Sequence, residues 1–178
     1  TESSQFNDPA SDRFYMRTMF RRDGPGMPPF SGLQREFQGI ARRFDMQWQL
    51  HDTSVKPRLT IAVSKFGHCL YDLLHRWRSG LLPVEIPAVV SNHEDMRSFV
   101  EWSGIPFHHL PAEGGKPAQE RAFLKLLIES RTDLLVLARY MQVLSPAMCE
   151  TLAGRCINIH HSFLPSFRGA KPYQQAHA

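Results

Sequence analysis

Leu59-Thr60-Ile61-Ala62-Val63 is a short apolar run that passes directly into Ser64-Lys65-Phe66-Gly67-His68. So brief a run, bounded by small and turn-forming residues, reads as a strand covered on both faces, as parallel sheets require. Residues 68–79 continue as a helix, with Gly80 placed to stop it. Downstream the alternation repeats. Val84 to Ser91 is the next strand, weakened by Pro87. A helix opens at Asn92 or His93 and runs to Trp102, and Ile105 to His108 gives a brief strand. Lys116 to Arg131 is the clearest helix, with Pro117 in its first turn and Ala118, Ala122, Phe123, Leu126 and Leu127 along one side. Asp133 to Leu137 is strongly apolar, Ser145-Pro146 caps a helix that Gly154 ends, and Arg155 to His160 is a further strand. Strands alternating with helices predict βαβ units, and so an α/β fold with a Rossmann-like parallel sheet over residues 58–178.

Upstream of Arg58 the pattern differs. Residues 1–22 read as a hairpin turning at Asn7 to Asp12, and the Pro- and Gly-rich stretch from Arg22 to Gly32 as a loop. Ser31 is placed to cap a helix to about Asp45, with Leu33, Phe37, Ile40, Ala41 and Phe44 on its apolar face. Met46 to Leu50 follows as a short strand. The expected organisation is one domain over 1–50, a linker over 51–57, and a second domain over 58–178.

Composition narrows the function classes. With 42% hydrophobic and 21% charged residues, the chain is able to bury a core. A formal charge of +4, dispersed and without a basic run, argues against a nucleic-acid partner. Cys69, Cys149 and Cys156 are odd in number and lack Cys-x-x-Cys spacing, so free thiols in a reducing compartment are expected. No stretch has the apolar length of a membrane span, and the first residues do not resemble a signal peptide. A cytoplasmic protein with no membrane partner is the expectation.

In an open parallel sheet, ligands bind outside the carboxyl ends of the strands. Three segments leave such ends here: 64–68, 138–144 and 160–173. In Ile157-Asn158-Ile159-His160-His161-Ser162-Phe163-Leu164-Pro165, Asn158 and His160 leave the same face of a strand just before it breaks. An amide there donates to a developing oxyanion, and an imidazole carries a proton. The segment 64–68 joins a strand to a helix N-terminus, where backbone N–H groups attract anions, so Lys65 and His68 are candidates for an anion-binding second pocket. Without G-x-G-x-x-G it does not read as a dinucleotide loop. The segment Arg139-Tyr140-Met141-Gln142-Val143-Leu144 is apolar for an exposed connection, and either plugs the core or lines a ligand slot. His75, His93, His108, His109 and His177 have no metal-ligand spacing, so no metal site is expected.

The string Asn-Ile-His-x-Ser-Phe-Leu-Pro-x-Phe-x-Gly over 158–169 resembles the signature of the folate-dependent formyl-transfer family. His161, followed by Gly169-Ala170-Lys171-Pro172-Tyr173, resembles its formyltetrahydrofolate deformylase branch, as does Ser-Lys-Phe-x-His-Cys over 64–69. The resemblance implies a formyltransferase-type catalytic domain preceded by part of an α+β, ferredoxin-like ACT-type domain that lacks its opening strand and helix. It implies hydrolysis of 10-formyltetrahydrofolate to formate and tetrahydrofolate in one-carbon metabolism, with folate as substrate and no metal or redox cofactor. His160 would assist water attack and Asn158 would stabilise the oxyanion. Arg139, Tyr140, Met141, Gln142, Val143 and Leu144 would line the pterin slot, with His161 beside it. ACT-type modules commonly pair, so a homo-oligomer is expected. The Asp that partners the catalytic His in this family is expected beyond Ala178, since residues 161–178 contain neither Asp nor Glu. The chain is therefore expected to be truncated at both ends and not to turn over by itself. Two other readings stand beside this one: formyl transfer to an amine on a ribonucleotide or aminoacyl-tRNA, and a non-catalytic folate- or amino-acid-binding module.

Overall fold

In the computed structural model, which describes residues 2–159, the chain forms two compact units divided between residues 54 and 55. In the first, β1 (Glu2–Asp8) pairs antiparallel with β2 (Arg13–Met19), with Phe6 opposite Tyr15. Their turn is held by the Asp8 carboxylate, which accepts from the Ala10 amide at 3.1 Å and from the Ser11 hydroxyl. The helix α1 spans Phe30–Arg43.

Two expectations fail in this unit. Ser31 does not cap α1; Pro29 precedes the helix, and its carbonyl takes the amides of Gly32 and Leu33 at 2.8 and 3.0 Å. Residues 46–50 do not form a strand. A strand needs a ladder partner, whereas this segment is held by a helix stop and a ring contact. Asp45 is left-handed at φ 49°, and the Met46 amide returns to Ala41 O at 2.8 Å, the Schellman closure with Asp in the usual glycine place. Trp48 then meets Phe37 edge-on, with ring centroids 4.9 Å apart.

In the second unit, β3 (Arg58–Val63) is the middle strand of a five-stranded sheet. The other elements follow in chain order: α2 (His68–Arg78), β4 (Glu85–Ser91), α3 (Arg97–Trp102), β5 (Phe107–His109), α4 (Lys116–Glu129), β6 (Leu134–Leu137), α5 (Pro146–Thr151) and β7 (Cys156–Asn158). The strand order is β5-β4-β3-β6-β7, and every pair is parallel. Ile61, Val63, Val89 and Val136 pack with Leu70 and Leu74 of α2 and Val100 of α3. Ala62, Val90, Leu135 and Leu137 face Phe123 and Leu127 of α4 and Met148 of α5. Helices on both faces explain why β3 can be apolar at consecutive positions.

Pro87 lies inside β4 without breaking it. The β3–β4 register slips between Arg58 opposite Glu85 and Thr60 opposite Ala88, so the proline falls at an irregularity. The helix expected from Asn92 or His93 starts only at Arg97. The Asn92 side chain is taken by Ser64, and the His93 amide by the Ser91 hydroxyl at 3.0 Å. Ser145 caps α5, its side chain accepting from the Met148 amide at 3.2 Å. All three cysteines are free thiols, and no helix among the described residues is long and apolar enough to cross a membrane.

Ile61 is fully buried at the centre of the sheet. Ile61→Ala is expected to destabilise the protein by about 2–5 kcal/mol, and Ile61→Val by about 0.5–1.5 kcal/mol. Chemical denaturation checks this, and near-equal losses for the two variants would contradict the packing described.

Candidate active site

A parallel sheet opens into a crevice where neighbouring strands send their chains to opposite sides. Here that point lies between β3 and β6. From β3 the chain passes to β4 on one side, and from β6 to β7 on the other. The segments 64–68 and 138–144 leave the sheet at this crevice.

Ser64 joins them. It is 3% exposed, donates its hydroxyl proton to Asn92 Oδ1 at 2.7 Å, and accepts the Met141 backbone N–H at 2.9 Å. The chain leaving β6 turns abruptly. The Ala138 amide still bonds Ala62 O at 2.8 Å, and the Arg139 amide then folds back to Leu137 O at 3.1 Å. Arg139 is left-handed at φ 59°, a region that long side chains seldom occupy. Its guanidinium lies over the Phe66 ring, 4.9 Å from the centroid. Arg139 Nη1 lies 3.5 Å from His68 Nδ1 and 3.4 Å from its Nε2. A Cβ at Gly67, ahead of α2, would force Met96 Sδ to shift and would meet the Tyr71 ring at 3.0 Å.

The turn sorts the residues after it. Tyr140 goes inward, 7% exposed, with its ring edge-on to Phe123 at 5.9 Å between centroids. Burial pushes the Tyr140 hydroxyl up to about 12, and the nearby Glu120 carboxylate pushes the same way. Burial works against the Glu120 charge, yet hydrogen bonds from Ser145 and the charge of Lys116 leave its pKa below the usual value. The Ser145 amide reaches Glu120 Oε1 at 2.7 Å. Leu144 also packs inward, against the α4/α5 core. Met141 and Val143 are 57% and 83% exposed, so these two do not plug the core, and Gln142 between them is half-buried.

On the other side of β6, Leu137 is in register with Asn158, and the Ile159 amide bonds Leu137 O at 3.2 Å. Asn158 is exposed and leaves the same face as Cys156, which packs toward α4 and α5. Asn158 thus ends β7 beside the departure point of the 138–144 segment. His160 and His161 lie outside the described residues. Lys65 and His68 are exposed beside the start of α2. Of the remaining histidines, His109 pairs with Glu94 at 2.9 Å on the far side of the sheet. Among the described residues, no group of three or more His, Cys, Asp or Glu is arranged to hold a metal ion.

The residues that sequence reasoning passed over are Ser64 and Asn92. The available signal was positional: each is the first polar residue beyond a strand end, on two strands that pair side by side.

The Formyl transferase family model matches residues 57–178. The chain is 50% identical over 177 residues to a formyltetrahydrofolate deformylase of Corynebacterium sp. strain P-1, covering 98% of this chain and 61% of that protein. Its fold is similar to the crystal structure of a formyltetrahydrofolate deformylase from Pseudomonas syringae pv. tomato, with TM-score 0.91 at 45% identity, over 99% of this chain and 59% of that one. The Burkholderia mallei enzyme of the same name gives TM-score 0.86 at 47% identity, over 99% and 62%. The chain thus spans about three fifths of the length of these relatives.

The Tyr140 environment has a consequence for alkaline stability. Its folded pKa lies above the ordinary value near 10, so the unfolded chain ionises first as pH rises. Stability tied to the neutral hydroxyl is intact below pH 10 and is lost as pH climbs towards 12. Over that window the protein is expected to lose up to about 2 kcal/mol more than Tyr140→Phe does. Urea titrations of both proteins at pH 9 and 11.5 check this, and parallel losses would refute it.

Proposed function

The chain belongs to the formyl transferase family, and on that premise we propose that it contributes the folate site and two catalytic side chains of a 10-formyltetrahydrofolate hydrolase. The proposed reaction releases formate and tetrahydrofolate. Water attacks the N-formyl carbon with His160 as general base, the tetrahedral oxygen takes a hydrogen bond from the Asn158 amide, and His160 then protonates the departing nitrogen. The folate is the substrate, and no further cofactor enters this scheme. Residues 1–50 are proposed as part of an ACT-type domain and 58–178 as part of the catalytic domain. Self-association through the ACT-type part and a cytoplasmic setting belong to the same proposal.

One observation carries the reading: Asn158 ends β7 in register with Leu137, the residue from which the exposed Met141 and Val143 depart. A donor amide and an apolar surface are thereby put on adjacent strand ends, about 4.8 Å apart. This suits a flat heterocycle lying on one strand end with its reacting group at the next. The relatives' shared name, formyltetrahydrofolate deformylase, supports hydrolysis over transfer to an amine. Within the slot, Met141, Gln142 and Val143 are proposed to meet the heterocycle, and Tyr140 and Leu144, the latter expected from sequence to line the slot but packed inward, to anchor the segment from beneath. Arg139, His161, Lys65 and His68 are proposed to flank it.

Asn158→Ala in the intact protein is expected to lower turnover by about two to three orders of magnitude with little change in folate affinity. Formate release without any added amine is the measurement, and undiminished turnover would take Asn158 out of the mechanism. Val143→Asp is expected to abolish tetrahydrofolate binding while leaving the fold intact, because the side chain is exposed. Calorimetric titration alongside circular dichroism reads both, and retained binding would remove Val143 from the slot.

A further inference from the structure

The chain leaving β6 holds a conformation that its own sequence does not favour, with an arginine in the left-handed region at position 139. Such backbone persists only where its surroundings over-determine it. Three bonds hold it here: Ala138 N–H to Ala62 O at 2.8 Å, Arg139 N–H to Leu137 O at 3.1 Å, and Met141 N–H to Ser64 Oγ at 2.9 Å. The first two join main-chain groups and are open to almost any sequence. The third requires a hydroxyl at the end of the neighbouring strand.

We propose that Ser64 is a positioning residue, which fixes the Met141 amide and so presents the 139–143 segment as a preformed edge for the folate heterocycle. A serine hydroxyl has one proton, and Asn92 Oδ1 takes it at 2.7 Å. That donation turns an oxygen lone pair towards Met141 N–H. Asn92 follows β4, Ser64 follows β3, and Met141 follows β6, so one buried hydroxyl ties three adjacent strand ends at the switch point. With Ser64 almost wholly buried, water is poorly placed to replace it, and the Met141 amide would lose its partner. The role of the edge rests on the folate reading above; the clamp itself rests on geometry alone.

The test compares wild type, Ser64→Ala and Asn92→Ala in the intact protein. It reads amide hydrogen exchange at Met141 and Ala138, and KM and kcat for formate release. In Ser64→Ala, Met141 is expected to exchange about tenfold faster, the change in opening equilibrium that losing one hydrogen bond brings. Ala138, bonded to the sheet, should stay within about twofold. KM should rise by about tenfold while kcat stays within about threefold, since a misplaced edge weakens binding of ground state and transition state alike. Asn92→Ala frees the hydroxyl rotor and should move both readouts the same way by less; it carries the test if Ser64→Ala fails to fold. Unchanged exchange at Met141 overturns the clamp. Faster exchange with unchanged KM, or a fall in kcat alone, overturns the positioning role. A wild-type protein that neither binds tetrahydrofolate nor releases formate sinks the folate reading and the edge's role with it, while Met141 exchange, read without ligand, still decides the clamp.

Discussion

The second unit depends on one strand being satisfied on every side at once. β3 gives its backbone to β4 and β6 in parallel ladders, and Ile61, Ala62 and Val63 bury side chains into opposite faces. A strand with no solvent face tolerates no charge in its middle, which requires helices on both sides: α2 and α3 on one, α4 and α5 on the other. The chain order follows. With β3 laid down first and central, β4 and β5 add on one flank and β6 and β7 on the other, and the reversal between β3 and β6 opens the crevice. Polar side chains are pushed to the strand's ends, where they do different work at each.

At the amino end, Arg58 is the tie. Its amide bonds Asp133 Oδ2 at 2.8 Å, its Nε bonds Ser130 O at 2.9 Å, and its Nη1 pairs with Glu85. Thr60 and Thr132 add a hydroxyl pair at 2.6 Å. The Arg58–Glu85 pair is largely solvated, and a pair of that kind contributes only about 0–1 kcal/mol. Its part is to register the strands rather than to stabilise them strongly. At the carboxyl end, Ser64 makes an uncharged, buried tie of the same connectivity, reaching the segments after β4 and β6.

Much of this arrangement is legible in the sequence because it depends on local pattern. The apolar runs of β3 and β6 and the one-sided periodicity of α4 follow from period and length, and the structure moves their ends by only one or two residues. What was illegible depends on partners distant in the chain. Residues 46–50 have the composition of a strand but pair with no other. The turn at 92–96 exists because Asn92 is engaged by Ser64, 28 residues earlier. The position of Asn158 at a strand end followed from alternation and its break; its neighbour across the ladder, Leu137, did not. For 138–144 the sequence by itself favoured a core plug and the family resemblance a ligand slot; the structure divides the segment, burying Tyr140 and packing Leu144 inward while Met141 and Val143 stay exposed.

The backbone torsion at Arg139 bears on how an apolar surface can be kept exposed at all. Single exposed apolar side chains are ordinary and need no explanation. Here, however, the inward residues bracket the outward ones: Tyr140 and Leu144 are held in the α4/α5 core, and the exposed Met141 and Val143 lie between them. A segment free to relax would tend to turn those two side chains inward, because each buried methylene is favourable by about 0.8 kcal/mol. Anchors on both flanks and the Ser64 bond to the Met141 amide prevent it. The apolar edge is thus kept out by the core beneath it. Along the rim, strand order then sets a sequence of chemistry: the cationic Arg139 over Phe66 beside β3, the apolar edge after β6, and the Asn158 amide at the end of β7. In the proposed reading, a folate that is flat in the middle and reactive at one end would meet each of these groups in turn.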